Sequence, residues 1–349
     1  MVWSILGVLA IASLAASAQS PTPMDLNEQG VQASGRGDYA QAQAFYERSI
    51  TGWRALGPDY AAHLGSTLLN LGQALSAQGR RREAVKAYEE ALALERSSLG
   101  PSHIRTLMTM NYLGATDLML GNIDRASALF QEALPLLRAH YPNDTELAHT
   151  LAGLAALRIW TGHVEEANPL AEEALSLTVK NEGEDSLDAA LMYATVAESH
   201  RAAGRPDRAE PLYRKAIAIY GRQLGPDHPR VAQTRSQEAL VLMNEGKLAL
   251  AEQELRQATS ELAKSCPACY AEQWNIETNL GILRSRQGKY KEADRLLAHA
   301  LELQEQHSEI PGPPMAATLR SLAEVRRQER RYDDADRLSR RAASIFTYR

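Results

Sequence analysis

The chain has 349 residues, of which 44% are hydrophobic and 23% are charged, and its formal net charge is −5 at pH 7. This charge balance argues against a nucleic-acid-binding protein, which would carry a basic patch or stripe. The length alone would suit two ordinary globular domains.

The first eighteen residues (1–18) differ in composition from the rest of the chain. Residues 2–16 carry no charge, and Ala16-Ser17-Ala18 forms the small-x-small pattern that a signal peptidase cleaves before Gln19. The apolar run is shorter than the roughly 20 residues that span a bilayer. We therefore expect a cleaved signal peptide and a periplasmic or secreted protein, from a bacterium to judge by the abundance of arginine and alanine. The alternative is an N-terminal membrane anchor, because the usual basic residues are missing before the apolar run.

A single glycine recurs along the remainder of the chain at an almost constant interval. The interval is 42 residues, once 41, and Arg330 stands where an eighth glycine would fall. Alanine follows each of these eight positions by five residues. Such a period indicates a stacked array of supersecondary units instead of separate globular domains. The glycines are Gly37, Gly79, Gly121, Gly162, Gly204, Gly246 and Gly288.

The second unit shows the structure that we expect of each. Leu68, Leu71 and Leu75 fall on one face of a helix, termed helix A, and Gly79 ends it. Apolar residues at the same spacing predict a second helix, helix B, which a Gly-Pro pair ends. The predicted fold is therefore all-α, with a repeat array over residues 19–349. Its eight units are predicted at roughly 24–64, 65–106, 107–147, 148–189, 190–231, 232–273, 274–315 and 316–349.

Small residues at fixed places are expected to let the two helices of a unit approach closely. One such place is the Gly72 position of helix A, where all eight units have glycine or alanine. A large side chain of helix B, such as Tyr88, would fill the remaining space. The residues at this position are Gly30, Gly72, Gly114, Ala155, Ala197, Ala239, Gly281 and Ala323.

These features resemble the tetratricopeptide repeat, in particular its longer kinesin-light-chain-like subtype. The resemblance is carried by Leu71-Gly72, Ala84, Tyr88, Ala91, the run 209–220 and the loop Leu-Gly-Pro-Asp-His-Pro at 224–229. It implies a right-handed superhelix of paired helices that binds peptides or proteins. Four units depart from it, since Ala171, Leu255, Leu297 and Ser339 replace the aromatic residue of helix B.

The sequence contains no recognisable catalytic or metal-binding motif. The segment 281–289 ends in Gly-Lys but lacks the spacing of a phosphate-binding loop. We expect no enzymatic activity, no cofactor and no metal. Cys266 and Cys269 are the only cysteines, and after export they would form a disulfide that closes a tight loop. The alternative is a thiol–disulfide exchange function for this pair.

The family pattern places the concave surface of the array on helix A, and the partner is expected to bind there. The groove would be apolar in its middle and arginine-rich toward the C-terminus, which suits an extended peptide with apolar and acidic residues. The alternative is that the apolar members are ordinary core between helices. The predicted partner-binding residues are Asn111, Met119, Ile159, Trp160, Glu198, Arg201, Asn275, Arg286, Arg320 and Arg327.

These predictions lead to a non-enzymatic scaffold that binds a protein or peptide, and not a nucleic acid. A membrane-tethered assembly factor is an alternative if the N-terminal segment stays uncleaved. A thiol–disulfide component is the other alternative.

Overall fold

The computed structural model describes residues 21–266, 269–307 and 312–347, and this part of the chain is helical throughout. Sixteen α-helices and one short 3₁₀ turn at Pro58–Tyr60 make up the described residues, with no strand among them. Odd-numbered helices are the A helices and even-numbered ones the B helices, so the eight predicted helix pairs are confirmed. The helices are α1 Pro23–Gly35, α2 Tyr39–Leu56, α3 Ala61–Ala77, α4 Arg81–Ser98, α5 Ile104–Leu120, α6 Ile123–His140, α7 Thr145–Trp160, α8 Val164–Glu182, α9 Leu187–Ala202, α10 Pro206–Leu224, α11 Pro229–Asn244, α12 Leu248–Ser265, α13 Tyr270–Arg286, α14 Tyr290–His307, α15 Pro313–Gln328 and α16 Tyr332–Thr347.

The helices begin earlier than the predicted unit boundaries. Helix α3 begins at Ala61 instead of residue 65, and α5 begins at Ile104 instead of residue 107. The period of small residues marks where helices pack against each other, and it carries no direct signal for the helix ends. The predicted signal segment, residues 1–18, lies outside the described residues.

Each turn between helix A and helix B is built around the recurring glycine. Gly79 has φ of 81°, and the other six glycines of the series are also left-handed, as predicted. The N–H of Arg80 donates to the carbonyl of Leu75 at 2.9 Å, which satisfies one carbonyl at the end of α3. In the eighth unit Arg330 adopts the same conformation, with φ of 63°. The turn geometry is therefore kept even where the glycine is lost.

The Gly72 position brings the two helices of a unit into close contact. A Cβ atom added to Gly72 would overlap the ring of Tyr88, which is buried. A Cβ atom on Gly114 would lie 2.9 Å from the ring of Phe130. Glycine in these units therefore leaves room for the large residue opposite it.

Packing between units identifies the inner side of the array. Among the described helices, each A helix packs against the next A helix, for example α5 against α7 and α11 against α13. No two described B helices approach each other comparably along their backbones. Because neighbouring units are closest along their A helices, the A helices line the concave side.

Ion pairs along the outer B helices connect the first four units. Arg54, Arg96 and Arg138 each lie in the last turn of a B helix and pair with a glutamate of the next B helix at 2.7 to 2.9 Å. These groups are well exposed, so each pair stabilises the array by less than about 1 kcal/mol. The three arginines occupy equivalent positions in their units, so the regular spacing of these ion pairs reflects the regular stacking of the units.

Candidate functional site

The A helices enclose a cavity of about 520 Å³ on the concave side of the array. Six of the eight A helices contribute to its wall, so the array curves far enough for distant units to face each other. Residues from units two to four and residues from units six to eight both line this cavity. The lining includes Gln73, Ser76, Arg81, Tyr112, Met119, Trp160, Arg230, Gln233, Glu272, Trp274, Asn275, Gln304, Pro314 and Met315.

Units three and eight approach each other at the edge of this cavity. A Cβ atom on Gly121 would lie 3.7 Å from Cδ of Pro313, and one on Gly312 would lie 3.6 Å from the carbonyl oxygen of Met119. These residues are nearly 200 positions apart in the chain. The array therefore completes one superhelical turn, and the contact bounds the cavity on one side.

Two predicted binding residues form an exposed apolar surface on this wall. Met119 is 54% exposed and Trp160 is 41% exposed, and both lie five residues after the small residue of their helix A. Predicted Ile159 is only partly exposed and packs against the cluster around Ala155 and Val196. Asn275 is exposed and lines the opposite side of the cavity. The apolar middle of the groove thus consists of Met119 and Trp160.

Asn111 lies in the core between units and is not part of this surface. Its amide donates to the carbonyl oxygen of Glu146 at 3.0 Å and to Oε2 of that residue at 2.8 Å. Its Oδ1 accepts from Oγ1 of Thr150 at 2.7 Å. Asn111 was predicted as a partner contact, and the structure places it between units, where its polar atoms hold α5 to α7.

Glu198 and Arg201 are also paired with each other. Arg201 Nε donates to Glu198 Oε2 at 2.7 Å, and the buried hydroxyl of Tyr213 donates to the same oxygen at 2.8 Å. Burial, together with the charge of Glu198, raises the pKa of Tyr213 well above its usual range. Both charged residues remain partly exposed, but their best hydrogen bonds are made inside unit five.

The three other predicted arginines do not form one surface. Arg286 donates to the carbonyl oxygen of Met243 and to Asn244 Oδ1, so it caps the end of α11. Arg320 and Arg327 line a separate depression between α15 and α16. The equivalent of Arg320 in earlier units, such as Asn111, packs against the following unit. The expected arginine-rich end of the groove is therefore not present as one surface.

Several residues of the cavity wall were not predicted from the sequence. Tyr112 stacks on Tyr88 with ring centroids 6.0 Å apart, and burial followed by the charges of Glu146 and Asp188 raises the pKa of Tyr112. Burial also raises the pKa of Glu272, although the charge of Arg81 across the cavity lowers it in part. The repeat could have revealed this wall, because Gln233 and Asn275 occupy equivalent positions six residues before the small residue of helix A.

A titratable cluster lies beside the cavity, between units four and five. His149 is 3.7 Å from Glu146 and 3.8 Å from Asp188. Burial lowers the pKa of His149, but the carboxylates of Glu146, Asp188 and Glu182 outweigh it and raise the pKa above 6.5. The protonated imidazolium thus stabilises this junction below that pH, and the contribution is lost as the pH rises through the raised pKa.

Cys266 and Cys269 are joined by a disulfide with a Cα–Cα distance of 5.3 Å. Cys266 follows the last residue of α12, and Cys269 precedes the first residue of α13. Both pack against the hydrophobic cluster of unit six. The disulfide therefore fixes the connection between two units.

In the part of the chain that the structure describes, no group of three or more His, Cys, Asp or Glu side chains is arranged to hold a metal ion. No helix among residues 21–266, 269–307 and 312–347 combines the length and the apolar character needed to cross a membrane.

Paired helices stacked around a lumen define a helical-repeat solenoid. The sequence profile described as "Tetratricopeptide repeat" matches residues 26–94, 63–139, 146–222, 188–260 and 274–347, so the chain belongs to the tetratricopeptide repeat family.

Relatives of this chain include kinesin light chain-related proteins 1 and 2 of Arabidopsis thaliana. They are 27% identical over 194 residues and 26% identical over 208 residues. The alignments cover 55% and 57% of this chain but 31% and 30% of the relatives, so the chain spans less than a third of their length.

Among solved structures, a Rap protein complexed with competence and sporulation factor superposes with a TM-score of 0.73 at 15% identity, covering 93% of this chain and 84% of that one. The Rap conjugation gene regulator of plasmid pLS20, in complex with the Phr* peptide, superposes with a TM-score of 0.65 at 17% identity, covering 82% and 74%. At these identities the likeness shows a shared fold.

Proposed function

We propose that the protein is a non-enzymatic scaffold that binds a peptide or protein segment in the cavity on its concave side. The observation that carries this proposal is the pair of exposed apolar side chains, Met119 and Trp160, on the wall of a cavity. Apolar side chains exposed together on a concave surface are typical of binding sites, and tryptophan is common among the residues that dominate binding energy. The cavity volume lies within the range of about 300–1,000 Å³ that is typical of binding pockets.

The solved relatives support the same function. Two solenoids of similar fold were solved with a competence and sporulation factor and with a Phr* peptide. The complex of one of them with a peptide agrees with a concave surface that offers apolar side chains and amide groups.

The proposal is tested by replacing both anchors with charged residues. Met119→Glu with Trp160→Glu is expected to reduce capture of partners from cell-envelope extract at least tenfold, because each carboxylate would have to lose water on binding. Leu250→Glu is the matched control, since Leu250 is 46% exposed on helix B α12, away from the cavity. Quantitative mass spectrometry of the captured proteins gives the measurement. Equal capture by the double variant and the control would contradict the proposal.

We further propose that the scaffold acts outside the cytoplasm, on the evidence of the N-terminal apolar segment and Ala16-Ser17-Ala18. Mass spectrometry of the protein recovered from cells is expected to show a chain that begins at Gln19. An intact N-terminus on protein from the membrane fraction would favour the tethered assembly factor instead. An intact N-terminus on protein from the cytoplasm would exclude export.

The packing of the Cys266–Cys269 disulfide against the core of unit six favours a structural role for it over thiol–disulfide exchange. Reduction is accordingly expected to loosen the junction of α12 and α13.

A further inference from the structure

Unit seven departs from the other units at two positions of the cavity wall. Trp274 stands where the three preceding units have alanine, and Gln304 stands where the preceding unit has Leu262. Both residues introduce a polar atom at a position where the other units have an apolar residue or a polar residue that is hydrogen-bonded within the protein.

The amide of Gln304 has no hydrogen-bond partner among the described residues. The side chain is 1% exposed, and both Nε2 and Oε1 are unpaired. At the equivalent position of unit two, Glu95 Oε2 accepts from Thr109 Oγ1 at 2.6 Å. The equivalent threonine in unit eight, Thr318, instead bonds to the carbonyl oxygen of Pro314 and to Thr278. The partner that the repeat would supply to Gln304 is thus engaged elsewhere.

Trp274 shows the same lack of a partner. It is 6% exposed, and its Nε1–H is unpaired within the described part of the chain. In unit one, the indole N–H of Trp53 donates to Thr67 Oγ1 at 3.2 Å. Trp274 and Gln304 both line the 520 Å³ cavity. Buried polar groups without partners are costly, so their presence together on one cavity wall indicates a ligand that supplies the missing hydrogen bonds.

We infer that Gln304 and Trp274 bind the main chain of an extended peptide, an inference that rests on the function proposed above. A carboxamide presents one acceptor beside two donors, which complements the N–H and C=O groups of a peptide backbone. The indole N–H requires an acceptor, and a second peptide carbonyl supplies it. Asn275 and Gln233 add further amides to the same wall, while Met119 and Trp160 face it with apolar surface. The occupant is therefore a short segment with one apolar side chain, recognised mainly through its backbone.

The experiment follows the indole N–H of Trp274 directly. Protein labelled with ¹⁵N-tryptophan has at most four indole resonances, because the chain has four tryptophans, and Trp274→Phe assigns one of them. The probe is a set of N-acetylated tetrapeptide amides that contain one leucine among alanines. A second set carries N-methylated backbone amides, which cannot donate a hydrogen bond. We expect the first set to shift the Trp274 resonance downfield, and the second set to bind at least tenfold more weakly.

Gln304→Leu, which copies Leu262 of the preceding unit, separates binding from folding. Because it removes a buried unpaired amide, it is expected to raise the Tm of the free protein, and to weaken binding of the first peptide set at least tenfold. Gln304→Met, which keeps an unbranched chain of similar length, is expected to behave in the same way.

Two results would overturn the inference. One is a Trp274 resonance that does not respond while the Trp160 resonance does, and the other is unchanged peptide affinity in both Gln304 variants. If Met119→Glu with Trp160→Glu still abolished partner capture, the proposed function would stand without this subsite. If that double variant also kept full capture, both proposals would fail.

Discussion

Gly72→Ala is expected to destabilise the protein by about 1–3 kcal/mol, although it adds a single methyl group. Alanine has the higher helix propensity, so the substitution would stabilise an exposed helix by about 1 kcal/mol. Here the added Cβ atom would overlap the ring of Tyr88, and that ring is 1% exposed and held between helices. Either the ring must leave its preferred rotamer or α3 must move away from α4, and both cost packing energy.

Gly221→Ala is the matched control for this substitution. Gly221 lies in helix α10, and nothing lies within 4 Å of a Cβ atom built on it. This variant is expected to be neutral or more stable. Urea unfolding measures the two changes, and hydrogen exchange shows where they act. Faster exchange confined to units one to three is expected for Gly72→Ala, because each unit mainly contacts its neighbours. A uniform increase along the chain would contradict this local effect.

Arg235→Met is expected to destabilise the protein by about 2–3 kcal/mol, because it leaves two largely buried carboxylates without their cation. Arg235 Nη1 lies 2.7 Å from Glu254, and its Nε lies 3.2 Å from Glu261. Gln257 Nε2 donates to Glu261 at 2.9 Å, so part of the hydrogen bonding survives. The free energy of unfolding in urea is the measurement.

Arg256→Met removes an exposed ion pair instead of a buried one, and it serves as the control. Arg256 is 70% exposed and pairs with Glu252 one turn away on the same helix, so its loss is expected to cost less than about 0.5 kcal/mol. Adding Glu261→Gln to Arg235→Met is expected to recover part of the lost stability. Similar effects of the two arginine substitutions would show that burial of the Arg235 cluster is unimportant.

The fold could be predicted from the sequence because its signals are local and repeated. Gly79 and its equivalents mark turns, and Gly72 marks a close approach whose cause, Tyr88, lies only sixteen residues away. The polar core of unit six could not be predicted in the same way. Arg235 and Glu238 occupy positions that are apolar in most other units, and only the structure shows that each has a partner of opposite charge.

The candidate site was predicted only in part, for a reason that follows from the repeat. Met119 and Trp160 were proposed because they lie next to the positions of helix A that the family pattern places in the groove. Trp274 and Gln304 belong to the same cavity only because the array completes a turn, and a period of 42 residues does not state how many units one turn requires. Asn111 lies between units although the family pattern places it in the groove, because adjacent A helices use much of their inward side to pack against each other.

The contact between Gly121 and Pro313 has a mechanical consequence. A solenoid held only by contacts between neighbouring units can be extended easily, since small rotations at each junction add up along the array. A contact between units three and eight opposes this extension, because the two units would have to separate. The length of the array and the width of its lumen are therefore coupled: the coil can lengthen only by giving up this contact, and doing so opens the wall that carries Met119.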